Sequence, residues 1–185
     1  MRMWPTDPRR HQPALAAAPD GNTMRRVMGR FATGITVVTV GGAEPHGMTA
    51  NSFTSVSLDP PLVLVCVQRT GHLHAALQET RSFAVSMLAA HQEREARIFA
   101  NRHRPRIEEF AAVEVVPGPY SGAPLFCDAL AWLECDLATI HDGGDHSIFI
   151  GRVQALGRGT AQDALLFFEG GFCRLAAEVT LPDTA

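Results

Sequence analysis

The 185-residue chain has no excess of positive charge: 16 Lys and Arg stand against 19 Asp and Glu, a formal net charge of -3. Nucleic-acid-binding domains normally carry a basic patch or a high pI, so that class finds no support. No apolar run approaches the ~20 residues that a helix needs to cross a bilayer. The longest, Leu62 to Val67, has strand length. The cysteines, Cys66, Cys127, Cys135 and Cys173, include no Cys-x-x-Cys spacing, which argues against a compact zinc site or a small disulfide framework. Free thiols in a reducing cytoplasm are expected instead. Gly41-Gly42 and Gly143-Gly144 lack the strand–GxGxxG–helix context of a Rossmann site. Arg2, Arg9 and Arg10 are broken up by Pro5, Pro8 and Pro13 with no apolar stretch behind them, so no secretory signal is expected.

What is present fits one domain. Residues 1–22 are rich in Pro, Ala and Arg without period and read as a disordered extension. Thr23 is predicted to cap a helix with Met24, Val27, Met28 and Phe31 at helical spacing, ending near Gly34. Ile35 to Val40 reads as a β-branched strand and Gly41-Gly42 as the turn after it. Gly47 to Phe53 and Leu62 to Val67 are two more strands. The Ser/Asp/Pro-Pro stretch between them cannot be a central strand, because Pro60 and Pro61 end a ladder. His72 to Thr80 is predicted helical, with Leu73, Ala76 and Leu77 as its apolar stripe. Phe83 to Leu88 reads as a strand. His91 to Asn101 reads as a polar helix with Ile98 and Phe99 inward, followed by a charged loop over Arg102 to Glu109. Val113 to Val116, Ala131 to Ile140, Ser147 to Leu156 and Leu165 to Phe168 complete the strands. Turns fall at Pro117-Gly118-Pro119 and Gly122-Ala123-Pro124. Many short strands and few helices argue for a mainly β barrel rather than a βαβ layout.

One segment stands out. Gly143-Gly144-Asp145-His146 places an Asp-His pair at a tight glycine turn, and Ser147 to Val153 then runs as a buried strand. That holds an imidazole at the rim of a sheet, where it can face a ligand. Two further segments join it: Gly29-Arg30-Phe31-Ala32-Thr33-Gly34-Ile35-Thr36-Val37-Val38-Thr39, and Gly47-Met48-Thr49-Ala50-Asn51-Ser52-Phe53 continuing through Ser57 and Pro60-Pro61 to Val67. In this order they resemble the flavin reductases of two-component monooxygenase systems, and the resemblance runs from about Met24 to Leu175.

The resemblance implies an FMN-binding split barrel: a Greek-key-like barrel of six strands with a few flanking helices, homodimeric, over residues 23–180, with 181–185 as a tail. It implies an NAD(P)H:flavin oxidoreductase. Hydride would pass from NADH or NADPH to FMN or FAD, and the reduced flavin would diffuse to a separate flavin-dependent monooxygenase. Flavin chemistry asks little of side chains beyond holding the ring, offering donors near its heteroatoms and leaving one face open. Met48, Thr49, Ala50, Asn51 and Ser52 form the best ring-edge strand, with Thr49, Asn51 and Ser52 as side-chain donors. Ser57 is a phosphate or turn-cap candidate. Cys66, Val67 and Gln68, followed by Thr70 and His72, correspond to the flavin edge and its phosphate-bearing tail. There an Arg (Arg69), a hydroxyl and a helix N-terminus suit an anion. Phe99 is a late flavin contact, although Ile98 stands where relatives often carry a basic residue. His146 is the one catalytic candidate, beside the nicotinamide, with Asp145 orienting it. Phe168, Glu169 and Phe172 replace Tyr and Arg types, so the resemblance does not choose between NADH and NADPH.

The glycine turn also invites a metal reading, but its His and Asp spacing fits no compact site, and no metal is expected. His11, His46, His74, His91 and His103 show no partner pattern. Two rival functions remain: a non-catalytic flavin-binding or storage module, which has no need of His146, and an FMN-dependent oxidase. The oxidase would want an Arg and Lys phosphate clamp, yet every basic residue here is Arg, and Arg69 and Arg97 are the obvious candidates.

Overall fold

Residues 20–104 and 109–175 are described by the computed structural model. The expected extension up to residue 19 and the tail beyond residue 175 lie outside the described residues. Helix α1 spans Gly21–Met28, and its N-cap is Asp20 rather than Thr23: the Asp20 side chain accepts from the Thr23 N–H at 2.7 Å. A carboxylate accepting from the third helical N–H is standard N-capping, so the helix starts three residues earlier than expected. The helical spacing of Met24, Val27, Met28 and Phe31 holds, but that face is bare, each residue being more than half exposed.

Short β1 (Thr33–Gly34) leads into β2 (Thr36–Val40), β3 (His46–Ala50), β4 (Thr54–Leu58) and β5 (Pro61–Gln68). Helix α2 (His72–Thr80), β6 (Ser82–Met87) and helix α3 (Glu93–Ala100) follow, then β7 (Val115–Pro117) and β8 (Pro124–Phe126). The chain closes with β9 (Ala131–Gly143), β10 (His146–Arg158), β11 (Leu165–Phe168) and β12 (Gly171–Arg174). The principal sheet is antiparallel with order β3-β2-β6-β9-β10-β5-β4, seven strands where six were expected. The added strand is β4, in the Ser-rich stretch before the prolines. It lies at the sheet edge, consistent with the exclusion of a central strand there.

All five residues of β2 are buried, because the strand lies between two cores. Val38 and Val40 face a cluster with Val65, Val67, Phe83 and Phe149, which α2 caps with Leu73 and Leu77. Val37 faces a second cluster with Phe99, Phe126 and Leu165. The buried hydroxyls are satisfied, as burial demands: Thr36 Oγ1 donates to Ala50 O at 2.9 Å and Thr39 Oγ1 to Pro124 O at 2.7 Å. All four cysteines are free, and burial pushes the Cys135 thiol up to about 12, which leaves it an inert core residue.

Candidate active site

Side chains alternate along β5. Val67 faces the main core and is fully buried, so any ligand contact it makes is through its backbone. Its neighbours Cys66 and Gln68 face the other way, onto two cavities. One, of about 400 Å³, takes Gln68, Thr70, Gly71 and His72 on one side and Met48, Thr49 and Phe99 on the other. The second, of about 790 Å³, is lined by Asn51, Ser52 and Cys66, with Thr33, Gly34 and Phe31 across from them. The same two segments, 48–52 and 66–68, wall both cavities in sequence order. Ser52 ties the segments together: its Oγ donates to Cys66 O and accepts from Cys66 N, both at 3.1 Å.

The expected ring-edge strand therefore divides. The Thr49 hydroxyl is already committed, donating to Ala96 O of α3 at 2.7 Å. Ala50 is buried, its carbonyl taken by Thr36. Asn51 is exposed in the second cavity. Ser57 lies on edge strand β4 and lines neither cavity. Phe99 is buried and reaches β3 because residue 47 is glycine: a Cβ there would lie 2.9 Å from Phe99 Cδ1.

His146 opens β10 and pairs in register with Gln68, which places it beside the first cavity. The loop before it is Gly144-Asp145, between paired Gly143 and His146, with Gly144 at φ 75. That positive φ in a two-residue hairpin is why glycine is needed. The Asp142 carboxylate accepts from Gly144 N at 2.9 Å and pairs with Arg69 at 3.0 Å. Arg69 also donates through Nε to His146 O at 3.3 Å and through its backbone to Asp145 O at 3.1 Å. Arg69, expected to meet an anion, instead clamps this turn. His146 Nδ1 sits 2.8 Å from Asp145 Oδ1 with its side chain 40% exposed, a ring held by one nitrogen and open at the other. The hydrogen bond and charge of His146 hold the Asp145 carboxyl below the usual range; for Asp142 the Gly144 N–H does so first, then Arg69.

Sequence reasoning missed a buried cluster behind the first cavity. His46 Nδ1 lies 2.6 Å from Glu109 Oε2, and Gly47 N donates to Glu109 Oε1 at 2.8 Å. Arg104 donates to Glu109 and to the Gly47 carbonyl, and its guanidinium stacks 4.8 Å from the Phe99 ring centre. His46 also meets the His72 ring edge-on at 6.0 Å. The signal available in sequence was a charged stretch, Arg102 to Glu109, and that stretch does not say which strand it folds against.

A family model for the flavin reductase like domain matches residues 28–176. The chain belongs to that family. The structure of BorF, the flavin reductase component of a bacterial two-component tryptophan halogenase, is 52% identical with a TM-score of 0.81. The alignment covers 84% of this chain and 98% of that one. The NADH:FAD oxidoreductase SgcE6 of Streptomyces globisporus, in complex with NAD and FAD fragments, is 49% identical with a TM-score of 0.82, covering 89% and 99%. The monooxygenase reductase subunit HsaB of Rhodococcus jostii is 34% identical, covering 90% of this chain and 84% of its own. Among the described residues no helix is long and apolar enough to cross a membrane, and no group of three or more His, Cys, Asp or Glu could hold a metal ion.

Proposed function

We propose that the protein is an NADH-dependent flavin reductase, acting on FAD in preference to FMN, that supplies reduced flavin to a separate flavin-dependent monooxygenase or related oxygen-using enzyme. The observation that carries this is the pair of adjoining cavities sharing the walls 48–52 and 66–68, with His146 in register beside Gln68. An elongated ligand with a flat head and a phosphate tail fits such a pair. Each cavity also has a buried polar atom without a protein partner among the described residues: Gln68 Oε1 in the first and Thr33 Oγ1 in the second. Buried polar atoms are normally satisfied, so both suit a ligand that carries donors and acceptors.

Flavin, when bound, supplies the redox chemistry: its ring accepts a hydride from the nicotinamide. The chain's own residues position the two. Asn51, Ser52 and the backbone of 50–52 hold the ring edge from β3, and Cys66 and the Val67 backbone meet it from β5. Thr70 and the start of α2 at His72 take the tail. His146 meets the nicotinamide, Asp145 fixes the imidazole through Nδ1, and Arg69 with Asp142 keeps the turn in place. Preorganised geometry of this kind removes entropy from the barrier.

The sheet curls into a split barrel, and two copies pair. The bare face of α1, with Met24, Val27, Met28 and Phe31, borders the second cavity through Met28 and Phe31. An apolar patch beside a site that needs a fourth wall fits a two-fold partner. Free thiols fit a reducing compartment, the cytoplasm. The test is direct. Purified protein, NADH and FAD should together lose nicotinamide absorbance, faster with FAD than FMN and dependent on added flavin. Flavin binding without NADH oxidation would leave a storage module.

A further inference from the structure

Strand β10 presents two faces where it begins. Side chains alternate along it, so His146 shares a side with Gln68, its partner in register, while Ser147 and Phe149 turn to the opposite side, where α2 packs. The Ser147 hydroxyl is buried and meets His74 Nε2 at 2.9 Å. The His74 ring stands edge-on to Phe149, with ring centres 5.2 Å apart. Burial, and after it the charge of Arg69, hold this imidazole below its usual pKa, so at neutral pH it is an uncharged hydrogen-bonding ring. Its helix is firmly seated: Leu73 and Leu77 are buried in the core that holds Val67 and Phe149. The bond therefore runs from a fixed helix to the residue directly after His146. The strand starts only one residue earlier, and the Gly144-Asp145 loop precedes it. On β9, Asp142 faces Ser147 in register and takes Arg69 at 3.0 Å, so the Arg69 clamp and the His74 bond hold the same end of the hairpin.

We propose that His74 is a positioning residue for the use of NADH: through Ser147 it fixes the start of β10 to α2 and so sets where the His146 imidazole stands. This rests on the reading of His146 as the nicotinamide contact and adds to it the group that holds that histidine from behind. A histidine does this where an apolar residue in its place does not, because it brings both a packing ring and a polar nitrogen to a buried hydroxyl that needs a partner.

The test separates the ring from its nitrogen. His74→Phe keeps the edge packing on Phe149 and loses the hydrogen bond, whereas His74→Gln keeps a polar group at similar reach and loses the ring. Each variant is measured for NADH oxidation at saturating FAD and for FAD affinity by fluorescence titration. His74→Phe should lower kcat/KM for NADH about three- to tenfold, with FAD affinity at the wild-type value, and His74→Gln should recover most of that loss. Ser147→Ala, which also removes the hydroxyl that His74→Phe leaves buried and unpaired, should give the same kinetic defect. The double variant His74→Phe/Ser147→Ala should be no worse than either single one. In a His146→Ala background, His74→Phe should have no further effect on NADH. A defect that persists undiminished there, an equal loss of FAD affinity, or a His74→Gln as impaired as His74→Phe would reduce the role to packing and overturn the proposal, with the flavin reading intact. Unchanged kinetics in both His74→Phe and Ser147→Ala would overturn it as well. A His146→Ala protein with wild-type NADH kinetics would instead contradict the nicotinamide reading of His146, and the proposal falls with it.

Discussion

Two histidine–carboxylate pairs in this molecule have nearly the same geometry and opposite surroundings. His46 meets Glu109 at 2.6 Å with side chains 9% and 1% exposed; His146 meets Asp145 at 2.8 Å with side chains 40% and 80% exposed. Glu109 is fixed by donors from three places, His46, the Gly47 N–H and Arg104, which join β3 to the turn after α3. Asp145 is on a hairpin tip, and the turn around it is held mainly by Arg69 and Asp142. In the first pair both partners are consumed by the fold. In the second, one ring nitrogen is anchored and the ring stays partly exposed. The same chemical unit is a structural rivet when buried and a positioned polar group when exposed.

Breaking the buried pair should have the largest effect on stability. Glu109→Ala leaves Arg104, His46 and the Gly47 N–H without their acceptor, and removing one partner of a buried ion pair costs about 3–5 kcal/mol. Urea unfolding should register that loss; a change below about 1 kcal/mol would mean that water replaces the carboxylate and the rivet is not one.

Acid should separate the pairs next. Burial works against the Glu109 charge, but the hydrogen bonds from His46, Arg104 and Gly47 outweigh it and hold the carboxyl below its usual value. A depressed acid stabilises the fold above its unfolded value, about 4.3 for Glu, and that contribution is lost as pH falls through the lower folded value. The wild type should therefore lose stability as pH drops from about 4.5, and Glu109→Gln, weaker at neutral pH, should show a flatter acid limb. Parallel acid limbs in the two proteins would remove Glu109 from the account.

The smallest effect belongs to the exposed turn. Asp142→Ala removes a pair with Arg69 whose side chains are 45% and 82% exposed, and such solvent-screened surface pairs contribute little to stability. Its melting temperature should barely move, while the KM for NADH should rise a few-fold as the His146 turn loosens. An unchanged KM would mean that Arg69 is not needed to hold the turn.

The strands were legible wherever β-branched residues met a buried face: Thr36–Val40, Pro61–Gln68 and the two long strands of the 143–146 hairpin fall close to their expected places. Thr54–Leu58 escaped because every residue but Ser57 is exposed and the strand pairs on one side only, so no apolar alternation marks it. The three residues of β8 begin at a proline that reads as a turn. The helix α1 stripe was read at the right period, yet spacing alone does not reveal that the stripe is left more than half exposed among the described residues. The Gly-Asp-His turn was legible because all its parts are adjacent in sequence. The Glu109 rivet was not, because its partner His46 is 63 residues away and its register is decided by how the α3 turn packs on β3. Arg69 was visible but its pairing was not: the carboxylate that meets it, Asp142, comes from another strand.

The exposed pair is tested most directly by His146→Ala, measured two ways on the same preparation: FAD affinity by fluorescence titration, and NADH oxidation at saturating FAD. Removing one positioned polar contact should lower kcat/KM for NADH roughly ten- to a hundredfold, with FAD affinity and melting temperature close to wild type. A variant that loses FAD affinity yet turns over NADH normally once flavin is saturating would put His146 in the flavin site and contradict its place beside the nicotinamide.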